Sequence, residues 1–139
     1  MGMVYADIEL LNGGDLFKNR MKEIPDHTVR RVRAKAMVDS GTYMLAINEE
    51  TNKHLGLPVI RKEPISLADD TIVNVDVVGP VEVRFGTRSA TTEAIVLPGS
   101  SEVLLGAIPM EGMGVLVDPR NQKLIEGHGD IMRHRYPLK

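Results

Sequence analysis

Ala36-Met37-Val38-Asp39-Ser40-Gly41-Thr42 carries an apolar run into a carboxylate, a hydroxyl and a glycine. A charged group directly after a run bound for the interior is costly unless hydrogen bonds or a chemical task compensate it, so Asp39 is the first residue to read for chemistry. Ser40 supplies a short hydroxyl, and Gly41 lets another backbone pass close. Asp, Ser and Gly are also ordinary turn residues after a strand, so a plain turn stands beside the chemical reading.

Upstream, Val32, Ala34, Ala36 and Val38 alternate with Arg31, Arg33, Lys35 and Met37. Period two between Thr28 and Val38 predicts a half-buried strand delivering Asp39 to its turn, with the basic side a solvated sheet face rather than a phosphate groove. Further back, Tyr5, Ile8, Leu10 and Leu11 predict a first strand, and Asn12-Gly13-Gly14-Asp15 predicts the turn of an opening hairpin or edge. Downstream, Tyr43 to Ile47 predicts a short strand. Asn48 then caps a helix with Glu49 and Glu50 in its first turn, which Gly56 and Pro58 bring to an end. His54 is expected to be exposed on it.

Ile65 to Ala68 and Thr71 to Val75 flank Asp69-Asp70, a predicted hairpin tip. Adjacent carboxylates on an extended chain point apart, which favours a solvated turn over a metal site. Val75 to Val78, Val81 to Phe85 and Thr92 to Leu97 predict strands separated by turns at Gly79-Pro80 and Gly86-Thr87-Arg88. Pro98-Gly99-Ser100-Ser101 leads into Glu102 to Gly106, Ala107 to Met113 predicts a short helix, and Val115 to Val117 with Lys123 to Ile125 predicts a closing hairpin. Short strands in this rhythm predict an all-β sandwich or barrel. Gly127 to Lys139 is expected to be a flexible tail or a dimer arm; His128 and His134, without a Cys or Glu at ligand spacing, argue poorly for zinc.

At 139 residues the chain fits one domain, expected at 1–126 with its core at 29–126 and a tail at 127–139. The lack of cysteine excludes disulfides, thiolate metal sites and a cysteine nucleophile. A net charge of −2 gives no field to recruit nucleic acid or an anionic membrane. No apolar run approaches the ~20 residues of a membrane span. Asp7 and Glu9 interrupt any leader-like core, and Ala6 stands where myristoylation wants Ser or Thr, so a cytoplasmic protein is expected. No serine-nucleophile elbow, phosphate loop or metal-helix motif is present, and no cofactor or metal is expected.

Asp39-Ser40-Gly41-Thr42 resembles the active-site loop of the retropepsin-like aspartic proteases, whose signature is Asp, Ser or Thr, Gly, then Ala, Ser or Thr. Leu104-Leu105-Gly106 is similar to the family's later mark, two large apolar residues and a glycine at a strand end. Leu55-Gly56-Leu57-Pro58 looks like the helix exit of small bacterial members. The resemblance covers roughly Val29 to Glu126 and implies an acid-protease fold, a closed barrel or sandwich of short strands with one or two short helices.

The same resemblance implies a role for each residue. Asp39 is catalytic. Ser40 hydrogen-bonds across a two-fold axis, Gly41 leaves room for substrate, and Thr42 completes the loop that Leu104, Leu105 and Gly106 brace. Leu67, Ala68, Asp69, Asp70 and Thr71 fall where a mobile flap closes over a peptide, and Ala107 and Ile108 where substrate side chains pass. Peptide hydrolysis by this route needs two carboxylates facing one water, and the chain has one such segment, so a homodimer with two-fold symmetry is expected. Two carboxylates ~3 Å apart at an effective dielectric of ~20 repel by about 5 kcal/mol if both are charged, so the pair shares a proton and activity follows a bell in pH, its better half acid of neutral.

Two departures stand out. Retroviral members place an acidic residue four positions after the catalytic Asp and an Arg after the later glycine; here those places hold Tyr43 and Ala107. Retroviral flap tips are rich in glycine, and this one has none. Beside the peptidase reading stand a catalytically inactive dimerisation or peptide-binding module, and an unrelated all-β protein in which Asp39 only caps a turn.

Overall fold

A computed structural model describes residues 3–99 and 101–127. Apolar side chains at every second position make β1 (Val4–Asn12), which buries Ala6, Ile8 and Leu10. β2 (Arg31–Val38) lies antiparallel to it from Val4 opposite Val38 to Leu11 opposite Arg31. Across this ladder Lys35 faces Asp7 and Arg33 faces Glu9, so the basic side of β2 is a charge-balanced sheet surface, as its alternation predicts.

Between these strands the expected turn is a helix start. Asn12 caps α1 (Gly13–Arg20), its Oδ1 accepting the Asp15 N–H at 2.9 Å, while its Nδ2 donates to Leu55 O at 2.8 Å. A Cβ on Gly13 would lie 2.9 Å from Pro80 O, so this glycine serves close packing and not a reverse turn. A 3-10 turn (Asp26–Thr28) then leads into β2.

β3 (Leu45–Asn48) passes into α2 (Glu49–Leu55) through the Asn48 cap, whose Oδ1 accepts the Thr51 N–H at 2.7 Å, and Gly56 ends the helix at φ +60°. His54 is exposed. β4 (Val59–Ser66) and β5 (Ile72–Phe85) form the long hairpin. Gly79-Pro80 does not divide β5, contrary to expectation. β5 pairs with β4 as far as Val78 and with β1 from Val81, so Pro80 falls where one edge exchanges partners and its missing N–H forfeits no ladder bond.

β6 (Arg88–Leu97), β7 (Leu104–Leu105) and α3 (Ala107–Met113) follow, then β8 (Val115–Asp118) paired with β9 (Lys123–Glu126) in a separate two-stranded sheet. The larger sheet runs β1-β2-β7-β3-β6-β5-β4, and the β1–β5 pairing joins its ends into a ring of six strands with β4 outside. Leu10, Leu45, Ile47, Val81, Val83 and Leu105 fill the ring without exposure, each contributing about 1.5–3 kcal/mol by leaving water. The all-β class is as expected; three short α-helices stand where one or two were, the extra one being α1. Among the described residues no helix is long and apolar enough to cross a membrane. His128, His134 and the rest of the expected tail after Gly127 lie outside the described residues.

Candidate active site

Three elements converge on the Asp39 turn. β2 reaches it alongside β7 in parallel, with Met37 opposite Leu104 and Val38 opposite Leu105. Met37 N–H donates to Val103 O at 2.8 Å and Asp39 N–H to Leu105 O at 3.0 Å, which fixes the Asp39 backbone. On its other side β7 meets β3, Ala46 opposite Leu104, so the two-residue strand is wedged between the segments entering and leaving the loop.

The turn then closes on itself. Thr42 N–H and Thr42 Oγ1 donate to Asp39 O at 3.2 and 3.0 Å. Gly41 N–H donates to Asp39 Oδ1 at 2.9 Å, and a Cβ on Gly41 would come within 3.1 Å of that oxygen. One carboxylate oxygen is thus oriented by backbone, while Oδ2 has no hydrogen-bond partner among the described residues. The side chain is half-buried, and Ser40 and Gly41 are exposed beside it. Such a carboxylate is held in one orientation and can still take a proton from a water outside.

The start of α3 completes the support. Ala107 N–H donates to Thr42 O and Ile108 N–H to Tyr43 O, both at 2.8 Å, so two donors that a helix start leaves orphaned are satisfied by the loop. Gly106 permits this approach. A Cβ there would lie 2.8 Å from Thr42 O and Tyr43 C, and nearer still to Met44 O.

Leu104, Leu105, Gly106, Ala107 and Ile108 are therefore gathered at Asp39. Leu67 to Thr71 form a separate tip: Leu67 N–H donates to Thr71 O at 2.8 Å, Asp70 N–H to Leu67 O at 2.9 Å and Thr71 N–H to Asp69 Oδ1 at 2.9 Å. The Thr71 side chain, with its N–H, holds the Asp69 carboxyl below its usual range. Asp70 takes φ +66°, the conformation a glycine would supply, which a short polar side chain tolerates. No hydrogen bond or ion pair joins this tip to the Asp39 loop among the described residues.

Two features lie beyond the sequence reading. Asn48 Nδ2 donates to Ser101 O at 2.9 Å and Glu49 Oε1 accepts Gly99 N–H at 2.8 Å, so the α2 cap also holds the loop that precedes β7. Tyr43 and Ile108, tied by their backbone bond, are 76% and 51% exposed. Asn48 at the end of an apolar strand signalled the cap but not this long-range contact. A groove of about 610 Å³ lined by Asp7, Glu9, Arg33, Lys35 and Arg84 lies on the β1–β2 surface, away from Asp39, and its cross-strand pairs of opposite charge, Asp7 with Lys35 and Glu9 with Arg33, mark ordinary sheet face. No cluster of three or more His, Cys, Asp or Glu could hold a metal ion among the described residues.

Residues 26–107, more than half of the chain, match a family model described as aspartyl protease. The matched span begins at the 3-10 turn before β2 and takes in the Asp39 turn, the β4–β5 hairpin and Leu104-Leu105-Gly106. No curated protein matches the chain.

Proposed function

Since the chain belongs to the retropepsin-like aspartyl protease family, we propose that it acts as a homodimeric endopeptidase, with one water activated between the Asp39 carboxylates of two copies. The ionised Asp39 takes a proton from the water as its oxygen attacks the scissile carbonyl. The protonated Asp39 of the other copy hydrogen-bonds to and polarises that carbonyl; the proton then goes to the departing nitrogen as the C–N bond breaks. One observation supports this reading: a turn, present once per chain, that orients Asp39 Oδ1 through Gly41 N–H while Oδ2 has no hydrogen-bond partner among the described residues. Leu104, Leu105 and Gly106 brace that turn, Ala107 and Ile108 border it, and Leu67 to Thr71 close over the peptide.

The test is cleavage of a mixed peptide library between roughly pH 4 and 7 by the wild type and by Asp39→Asn. Cleavage abolished in the variant supports the enzyme; cleavage that survives it refutes the mechanism. The tip of the hairpin, turned through Asp70 and not through a glycine, favours a second reading, a peptide-binding module. That reading expects both proteins to retain peptides and neither to cut them.

A further inference from the structure

We propose that Glu102 is a specificity-determining residue that selects peptides carrying a basic side chain beside the scissile bond, an inference that rests on the peptidase reading above. The strand ladders build the wall on which it stands. Tyr5 lies opposite Met37 and Met37 opposite Leu104, so one residue from each of β1, β2 and β7 forms a row across three neighbouring strands. Directly opposed residues share one face of a sheet, and so do residues two apart on a strand. Asp39 follows Met37 by two residues and its N–H continues the ladder to Leu105 O, so the row lies one pleat repeat before the carboxylate on the same face. All three members are half-buried, an apolar floor leading to Asp39.

Glu102 precedes Leu104 by two residues and is exposed beside this floor. Tyr5 Oη donates to Glu102 Oε1 at 3.1 Å, a bond that reaches from β1 to the chain entering β7 and so crosses the intervening β2. Lys35 Nζ stands 5.3 Å from the centroid of the Tyr5 ring and opposite Asp7, which supplies its counter-charge; the cation steadies the ring in that pose. The bond to Glu102 holds the Tyr5 hydroxyl above its usual range, so it stays a donor. Glu102 has no cationic partner among the described residues, and its Oε2 accepts no hydrogen bond there. A carboxylate fixed by a neutral donor and left without a counter-ion is a receptor for a cation. Distance decides which one. Glu102 lies about two pleat repeats, roughly 13 Å, along the strand direction from Asp39. A Lys or Arg side chain next to the cut closes that span, its methylene stem on the Met37 floor and its charged head at Oε2. A short side chain does not reach, and an acidic one is repelled.

Peptides cut in the mixed library, remade with Lys, Leu or Glu at each residue flanking the cut, test this. At one of those residues the wild type should favour Lys over Leu at least tenfold in kcat/KM, chiefly through KM, and cut the Glu peptide most slowly. Glu102→Gln should lower the Lys-to-Leu ratio at least tenfold, and Glu102→Lys should invert the order in favour of the Glu peptide. Tyr5→Phe, which removes only the positioning bond, should lower the ratio roughly threefold. Binding to the Asp39→Asn protein is the second measurement: the Kd for the Lys peptide should rise at least tenfold when Glu102→Gln is added. A wild type that cuts Lys and Leu peptides equally, or a preference for Lys that survives Glu102→Gln, overturns the role of Glu102 and leaves the peptidase standing. A wild type that cuts nothing yet holds the Lys peptide through Glu102 overturns the peptidase and supports the selectivity as that of a binding module. Neither cleavage nor charge-dependent binding overturns both.

Discussion

Replacing Gly106 by alanine tests whether backbone packing alone holds the Asp39 loop. The added Cβ would stand 2.8 Å from Thr42 O and Tyr43 C and closer to Met44 O, all main-chain atoms that cannot rotate away. Reaching an ordinary contact of about 3.4 Å requires the loop and α3 to part by roughly 0.6 Å. Moved that far, the bonds from Ala107 N–H to Thr42 O and from Ile108 N–H to Tyr43 O, both now 2.8 Å, pass beyond hydrogen-bond range. Losing two bonds at about 1 kcal/mol each, on top of ~1–3 kcal/mol for overpacking, gives ~3–5 kcal/mol, or roughly 10–15 °C in Tm. Misplacing the carboxylate by a similar distance lowers kcat by about 10²-fold. Gly99→Ala is the control: at φ +70° with nothing within 4 Å, it meets only backbone strain of about 1 kcal/mol. Thermal unfolding and peptide cleavage report both quantities. A Gly106→Ala protein that melts within ~3 °C of wild type and cuts normally, or a Gly99→Ala protein damaged equally, refutes the reasoning.

Asp15 is buried and accepts Arg30 N–H at 3.1 Å, Nε at 2.8 Å and Nη2 at 3.0 Å, and the Arg30 guanidinium holds its carboxyl below the usual 3.8. A depressed folded value contributes stability above the unfolded pKa and loses it as pH falls through the folded one. Asp15→Asn is therefore expected to cost ~2–3 kcal/mol at pH 6, discounted because half of Arg30 is exposed, and to flatten the loss of stability below about pH 4; urea titrations at pH 6 and pH 3 check both. Arg88 donates to Met113 O at 2.9 Å and Gly127 O at 2.8 Å and pairs with Glu126 at 3.3 Å, latching the β8–β9 sheet to the ring. Arg88→Met should leave the ring intact while amide exchange across 115–126 speeds at least tenfold, about 1.4 kcal/mol of local opening; unchanged exchange there would show that apolar packing alone holds the sheet.

What the sequence disclosed follows from how local each signal is. The Asp39 turn, the Asn48 cap and the Ala107–Met113 helix each announce themselves within a few residues, and the structure has all three. Asn12-Gly13-Gly14-Asp15 misled because an Asn suits a helix cap as well as a turn, and the deciding contact, Gly13 against Pro80, comes from far along the chain. The middle of β4 gave no strand signal: Arg61, Lys62, Glu63 and Pro64 on an outer strand need no apolar alternation. Closure of the ring through Leu10 opposite Val83 joins segments that no local period can relate.

The missing ion pair shows what replaced it. Where retroviral relatives set an acid and an arginine, Tyr43 and Ala107 stand here, and two backbone hydrogen bonds at 2.8 Å tie the same segments together. Removing both charges leaves neither unpaired. The replacement also changes how the site answers to acid, because amide-to-carbonyl bonds carry no titratable proton and persist where carboxylates lose their charge. The backbone support of the Asp39 loop is then independent of pH across the acid range in which the proposed cleavage would be assayed. The low-pH limit of the fold passes instead to paired carboxylates remote from the turn, the most enclosed of those held below their usual range being Glu82, paired with Arg20 at the end of α1 and with Arg84, followed by Asp15. Acid should accordingly unfold the α1 corner at Arg30 before it loosens the Asp39 loop, an order that residue-resolved amide exchange below pH 4 would reveal and that early exposure of Met37 and Asp39 amides would contradict.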